Sequence, residues 1–332
     1  MALQSSGSIS LANIAAEFGG AAPHSMSEYY RGGGLVPTNN SNVPATGAIS
    51  FGNFYGAANQ FNYVISSNQT NLNLRNAALS AGWDGLAPLV VTINSGVYIS
   101  SNSTGTPALT VSGSFPSGVA LVNNGFIVGM GGAGGAGNGL AYGYYSDAYS
   151  NYRAADGTNF GGSNGSPGGP ALSVSSPISI TNNGTIGGGG GGGGGGNGRF
   201  GTSSDISGSG GGGGRSGVAA NSAGAPGGGF NASSLNPPWQ YAGNTGASGT
   251  SSGGGAGGTG RSGYSNYQVG GAGGPGGSWG AAGGSGGNGY SPVGYGGTNV
   301  GPTRFGGSGG PAVQGNSNIT WVATGTRLGA IA

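Results

Sequence analysis

The chain has 332 residues, of which 87 are glycine and none is cysteine or lysine; eight arginines, six acidic residues and one histidine are its only other ionisable groups besides tyrosine. The arginines are scattered, which excludes nucleic-acid binding through concentrated positive charge, and the lack of cysteine excludes disulfides and thiolate metal sites. No basic segment leads into an apolar core at the N-terminus, and no run approaches the ~20 apolar residues of a membrane-spanning helix, so neither a signal peptide nor membrane insertion is expected.

Glycine divides the sequence. Fifteen glycines precede residue 125, 69 fall between 125 and 311, and three follow. Three zones result: 1–59, 60–128 and 129–332.

The first zone carries an echo. "ISLANI" (9–14) and "ISFGNF" (49–54) share apolar-Ser-apolar-x-Asn-apolar, and "SMSEYY" (25–30) is a looser copy. Ser10 is suited to N-cap a short helix, "LANIAAEF", that Gly19 ends. Such helices need tertiary support. Ile9, Leu11, Ile14, Phe18, Phe51, Phe54 and Tyr55 therefore either form a small core or dock the segment on another protein.

In the second zone, "FNYVISS" (61–67) reads as a strand and "LNLRNAALSAGW" (72–83) as a helix ending near Gly82. "LVVTINSGVYIS" (89–100) reads as strand, turn, strand in a half-buried edge element. That phrase recurs: "INSGVYI" (93–99), "VNNGFIV" (122–128), "TNNGTIG" (181–187) and "VATGTRL" (322–328) each place two small polar residues before a glycine. "TPALTV" (106–111), "GPALSV" (169–174) and "GPAVQG" (310–315) precede the last three. Units that cannot bury themselves alone are expected to stack as rungs. Gly96, Gly125, Gly184 and Gly325 are expected to supply positive φ at the turns.

In the third zone glycine recurs every third residue, at 271, 274, 277, 280, 283, 286 and 289, and again through "GMGGAGGAGNG" (129–139). Three is the period of the polyproline-II conformation. Collagen would need longer, proline-rich runs, and a disordered linker needs no period. A bundle of polyglycine-II helices satisfies both the period and the backbone donors, by hydrogen bonds between neighbouring rods. On that reading the ten consecutive glycines 187–196 form an interior rod. The expected fold is irregular and mostly β: short N-terminal helices, a small mixed α/β platform of strand–turn–strand rungs, and a C-terminal polyglycine-II bundle.

The segments between the glycine runs are different. "YGYYSDAYSNYR" (142–153) holds Tyr142, Tyr144, Tyr145, Tyr149, Tyr152 and Arg153. Phe200, Phe230, Trp239, Tyr241, Tyr264, Tyr267, Trp279, Tyr290 and Tyr295 add further aromatics among Asn and Ser. Rigid aromatics with adaptable polar neighbours are the composition of a recognition surface, and covering the bundle is the plainer use for any one of them. Catalysis has little support: Glu17, Glu28, Asp84, Asp147, Asp156 and Asp205 form no paired-carboxylate motif, His24 lies outside any nucleophile pattern, and the glycine runs lack a phosphate-loop Lys-Ser/Thr. Neither a metal nor a cofactor is expected.

"NNGFIVGMGGAGGAG" and "ITNNGTIGGGGGGGGGG" resemble the glycine-rich domains of bacteriophage tail-fibre tip adhesins of the T-even-like phages. "AGWDGLAPLVVTINSGVYISS" resembles a segment that precedes them in phage proteins, and "GSISLANIAAEFGG" and "GAISFGNFYGA" resemble short N-terminal motifs of virion proteins. The resemblance implies a virion protein whose polyglycine-II sandwich displays loops to a bacterial outer-surface protein or polysaccharide. It also implies an N-terminal segment (1–59) that attaches to another virion protein of the tail fibre, tail or capsid. The N-terminal zone departs from the T-even attachment domain, and the rungs are more prominent than in that adhesin. The alternative is a structural virion component with the bundle as spacer; an ice-binding bundle would need flat repetitive faces without bulky loops.

Overall fold

A computed structural model describes residues 2–137, 139–140, 159–160, 162–201, 209–217, 243–260, 270–289, 297–300 and 304–332. No described helix is long and apolar enough to cross a membrane.

The echo in the first zone is a capping box. Helix α1 (Leu11–Phe18) starts where the Ser10 hydroxyl accepts from the Asn13 N–H at 3.2 Å and the Asn13 carboxamide accepts from the Ser10 N–H at 3.0 Å. The 3₁₀ turns Met26–Tyr29 and Phe51–Phe54 repeat this, with the Ser25 N–H donating to Glu28 and the Ser50 N–H to Asn53. The three starts aim apolar side chains at one centre. Ile9, Ile14, Phe18, Tyr29, Val36, Val43, Phe54 and Ala57 form a buried core of their own, in which Phe18 and Tyr29 meet Phe54 edge-on. Ile9, Ile14, Phe18 and Phe54 are therefore packed inside rather than presented outward. Leu11 and Tyr55 are half-buried and Phe51 is exposed.

From residue 61 the chain makes five passes through three parallel sheets. The first pass is β1 (Phe61–Ile65), β2 (Gln69–Thr70) and β3 (Leu72–Asn73), followed by α2 (Leu74–Ser80). The second is β4 (Leu89–Ile93), β5 (Tyr98–Ser100) and β6 (Leu109–Val111). The third is β7 (Val119–Asn123) and β8 (Phe126–Val128), with two-residue strands β9 (Gly139–Leu140) and β10 (Asn159–Phe160) intervening before β11 (Leu172–Val174). The fourth is β12 (Ile178–Asn182) and β13 (Thr185–Gly187), then β14 (Gly198–Gly201) and β15 (Gly297–Val300) before β16 (Val313–Gln314). The fifth is β17 (Ile319–Ala323) and β18 (Thr326–Leu328). The sheets run β1-β4-β7-β12-β17, β2-β5-β8-β13-β18 and β3-β6-β11-β16.

Alternation along each strand sends one set of side chains into a common core. Leu89, Val91 and Ile93 on β4 align with Val119, Leu121 and Asn123 on β7; Ile99, Ile127 and Ile186 stack across the second sheet; Leu109, Leu172 and Val313 stack across the third. Each fully buried Ile or Leu contributes about 1.5–3 kcal/mol. The repeated Asn-Asn-Gly phrases lie side by side. Asn123, fully buried, donates to the Asn182 side-chain oxygen at 2.8 Å, and Asn182 donates on to the Thr324 carbonyl at 2.8 Å, so the buried amides satisfy one another.

Two expectations are corrected here. The strands β4 and β5 are not edges, since each is paired on both sides, and they pair with other passes rather than with each other. Gly96 and Gly325 take positive φ (78° and 49°), but Gly125 and Gly184 do not. Those two are glycine because the adjacent pass is too near: a Cβ on Gly125 would overlap the Val97 carbonyl, and one on Gly184 the Gly125 carbonyl.

The glycine segments leave the passes after β8 and β13 and bond to one another. Along 189–197 the N–H groups turn through three directions with a period of three residues. Gly189, Gly192 and Gly195 donate to Gly169, Ser166 and Ser163; Gly190, Gly193 and Gly196 to Arg215, Gly212 and Ser209; Gly191, Gly194 and Asn197 to Ala281, Gly284 and Gly287, all at 2.8–3.2 Å. The carbonyls of the same run accept from three further segments, for example from Gly132 (to Gly190), Gly307 (to Gly192) and Gly274 (to Gly194). The run thus has six neighbours: 129–137, 163–169, 209–215, 271–280, 281–287 and 304–310. At each of 188–196 a Cβ would overlap a neighbour's backbone, so this segment tolerates only glycine.

Candidate functional site

The hydrogen bonds fix which end of each glycine segment is which. At the platform end, Gly188 donates to Leu328 and accepts from Gly280, while Gly310 donates to Gly189. At the far end Asn197 donates to Gly287 and accepts from Gly271, and Gly196 donates to Ser209. Residues 137, 162, 197, 209, 243, 260, 270, 289 and 304 therefore lie at or near the far end. The connections 250–253 and 278–281 at the platform end are tight: Thr250 donates to Gly253 and Ala281 to Ser278.

Tyr142, Tyr144, Tyr145, Tyr149, Tyr152, Arg153, Phe230, Trp239, Tyr241, Tyr264, Tyr267, Tyr290 and Tyr295 lie outside the described residues. The described residues that bracket them are informative. The chain departs from and returns to the far end around 142–153, 264–267 and 290–295. It departs from the platform end at Gly217 and returns to the far end at Gly243 around 230–241. Two antiparallel ribbons stem these excursions at the far end: β9 with β10, in the register Leu140↔Asn159, and β14, which carries Phe200, with β15, in the register Phe200↔Thr298.

Trp279 is elsewhere. It lies in the 278–281 connection, only 7 % exposed, with its indole N–H donating to the Ser216 carbonyl at 3.2 Å. The Arg215 guanidinium sits 3.6 Å from its ring centroid, and Phe126, itself stacked on Tyr98 at 4.3 Å, lies beside it. Burial pushes the Arg215 pKa down, with the neighbouring Tyr98 opposing. Trp279 therefore joins the bundle to the second sheet, away from the loop-bearing end.

One aromatic escaped the sequence reading. Phe305 is 62 % exposed and is the only exposed large apolar side chain among the described glycine segments. Its N–H donates to the Asn164 side chain at 2.9 Å and its carbonyl accepts from Gly165, so the ring is displayed from fixed backbone near the far end. Its position one residue past an Arg, directly beside a glycine run, was the available signal.

Among the described residues no group of three or more His, Asp or Glu could hold a metal ion. His24, half-buried in the N-terminal core, lies 3.1 Å from the Tyr29 hydroxyl and 4.0 Å from the Glu28 carboxylate. Tyr29 itself donates to the Gly19 carbonyl at 2.8 Å, so this cluster is closed upon itself.

A family model described as "Phage tail fibre adhesin Gp38" matches residues 60–332. Among solved structures, the chain is similar to one described as the crystal structure of the gp37-gp38 adhesin tip complex of the bacteriophage S16 long tail fiber. The identity is 21 % and the TM-score 0.49, over 99 % of this chain and 100 % of that one. No curated protein matches.

Proposed function

Because the chain belongs to the Gp38 family of phage tail fibre adhesins, a component of the virion's tail fibre, we propose that it binds a bacterial outer-surface receptor through the aromatic excursions at the far end of its glycine bundle. The recognition residues are Tyr142, Tyr144, Tyr145, Tyr149, Tyr152, Arg153, Phe200, Phe230, Trp239, Tyr241, Tyr264, Tyr267, Tyr290 and Tyr295. One observation carries this reading: every one of these excursions is bracketed by described residues at the far end on at least one side, whereas the connections at the platform end are tight. Rigid segments that carry aromatic and polar connecting segments at one end are a receptor-binding arrangement, with no catalytic constellation required.

The glycine segments are read as polyglycine-II helices. The support is the three-residue hydrogen-bond repeat around 189–197 and its six neighbours. A φ near about −75° with ψ near about +145° along this run, measured in a crystal structure, is the expected result; α or β torsions there overturn it. The N-terminal segment 1–59, which lies outside the family match and has its own core, is read as the attachment to another fibre protein.

The deciding experiment replaces the five tyrosines of 142–152 by serine in phage particles and measures adsorption to host cells. A severalfold drop in adsorption rate, with the bundle intact by hydrogen exchange, supports the adhesin reading. Unchanged adsorption after the same treatment of every aromatic excursion leaves the bundle as a spacer.

A further inference from the structure

If the N-terminal segment attaches the chain to the fibre, the attachment needs a surface, and Ile9, Ile14, Phe18 and Phe54 do not provide one because they fill the module's own core. The module does carry a concave feature. A cleft of about 150 Å³ opens where it meets β1, lined by Asn39, Asn40, Ser41, Asn42, Tyr55 and Asn62, with Gly56, Ala57 and Ala58 completing it.

The floor of this cleft is fixed. Asn40 is buried, and its carboxamide makes three hydrogen bonds: it donates to Pro37 and Ala58 carbonyls at 3.1 and 3.0 Å and accepts from the Ala58 N–H at 2.8 Å. One wall is pinned to the next module, since Asn39 donates to the Gln60 carbonyl at 3.1 Å and the Asn62 oxygen accepts from Gln60 at 2.8 Å. Tyr55 is anchored by its hydroxyl, which donates to the Gly7 carbonyl. The rim is unspent. Among the described residues the Ser41 hydroxyl and the Asn42 carboxamide make no hydrogen bond, and Asn39 keeps an oxygen and Asn62 an NH₂ group.

The rim thus offers both neutral donors and neutral acceptors over a rigid floor, with no charged side chain in the lining. That chemistry matches the alternating N–H and C=O groups of a main chain, and its neutrality disfavours a charged ligand. We propose that the cleft seats an extended, uncharged polypeptide segment of the fibre partner, held by main-chain hydrogen bonds to Asn39, Ser41, Asn42 and Asn62. This rests on the attachment reading of residues 1–59 and is independent of receptor recognition at the far end.

The test uses phage particles carrying Ser41→Trp, which fills the cleft from an exposed position, or Asn42→Ala, which removes one carboxamide. The chain is quantified per purified particle by mass spectrometry, and the isolated variants are melted to verify folding. Expected are at least a tenfold loss of the chain from Ser41→Trp particles and a smaller loss for Asn42→Ala, with melting unchanged. Thr46→Trp, at an exposed position of the same module outside the cleft, keeps the wild-type amount. Wild-type amounts in Ser41→Trp particles overturn the proposal. The isolated Ser41→Trp chain should still compete with phage for host cells; if instead it binds cells less while particles retain it, the cleft takes a surface saccharide and the docking assignment is wrong.

Discussion

The guanidinium of Arg327 lies 4.8 Å from the centroid of the Trp321 ring, closing the last pass of the coil. Arg327 stands in register with Ile186, which aligns with Ile127 and Ile99, so an arginine occupies the inward position held by isoleucine in the three preceding passes. At the end of a stack there is no next pass to cover an isoleucine. A flat cation over a half-buried indole covers the core on one side and meets water on the other. Trp321 is held in turn by its indole N–H, which donates to Asn316 at 2.9 Å. The opposite end is closed by α2, whose Leu74 and Ala78 are fully buried.

Trp321→Ala should therefore cost about 2–4 kcal/mol, toward the lower end of large-to-small core replacements because the ring is half-buried. Arg327→Ala should cost about 0.5–1 kcal/mol. Urea unfolding curves of the two variants and the double mutant check this; additive effects would show that the pair is not coupled.

A Cβ at Gly192 would overlap the Ala133 carbonyl, whereas one at Gly253 meets nothing within 4 Å. Gly192→Ala is expected to abolish protection of the amides of 187–197 in hydrogen exchange, and Gly253→Ala to leave them unchanged. Comparable protection in both variants would sink the close-packed description of the run.

Deleting one glycine from 187–196 turns every later residue of the run toward the wrong neighbour, while deleting three keeps each residue facing its own. Thermal melting should show the one-residue deletion to be more destabilising than the three-residue deletion. The reverse order contradicts a three-residue repeat.

Tyr29 is fully buried, and burial, with the Glu28 carboxylate adding to it, raises its pKa above the ordinary tyrosine value. The sign follows from linkage: a raised folded pKa stabilises below the unfolded value and the contribution is lost as pH climbs through the folded one. The N-terminal core should hold up to about pH 10 and weaken above it. Tyr29→Phe should flatten that alkaline loss in near-ultraviolet circular dichroism, at the expense of the hydrogen bond to Gly19.

With so few charged side chains on the whole chain, adsorption should change less than about threefold between 0.05 and 0.5 M salt, because there is little Coulombic attraction to screen. Adsorption rates measured across that range check it. A steep fall with salt would point to an Arg-based contact such as Arg153.

Much of this was legible in the residues. Ser10 and Gly19 announced α1 and its ends, since a cap is a local event. The Asn-Asn-Gly phrases announced that their strands lie together. The role of each glycine was less legible: Gly125 and Gly96 look alike in sequence, yet one answers to a neighbouring carbonyl and the other to its own φ. Trp279 looked like another loop aromatic because nothing in "GGSWGAAGG" reveals that Arg215, 64 positions earlier, will stack on it. Contacts between distant segments carry that information. Phe305 was overlooked for the converse reason, as display depends on which side of a rod faces water.

The order of synthesis also bears on the coil. The pairings β1–β4, β4–β7 and β7–β12, and β2–β5, β5–β8 and β8–β13, are complete in the chain before the main glycine region has been made, but β16 and the fifth pass lie beyond it, and β16 pairs with β11. The nascent coil must therefore wait, with β11–β13 exposed along one side, until more than a hundred further residues emerge from the ribosome. The residues that emerge first, the ten glycines 187–196, carry no side chain that could collapse onto the waiting edge. A run of bare glycine at this corner keeps the newly made chain nearest the open edge from contesting it.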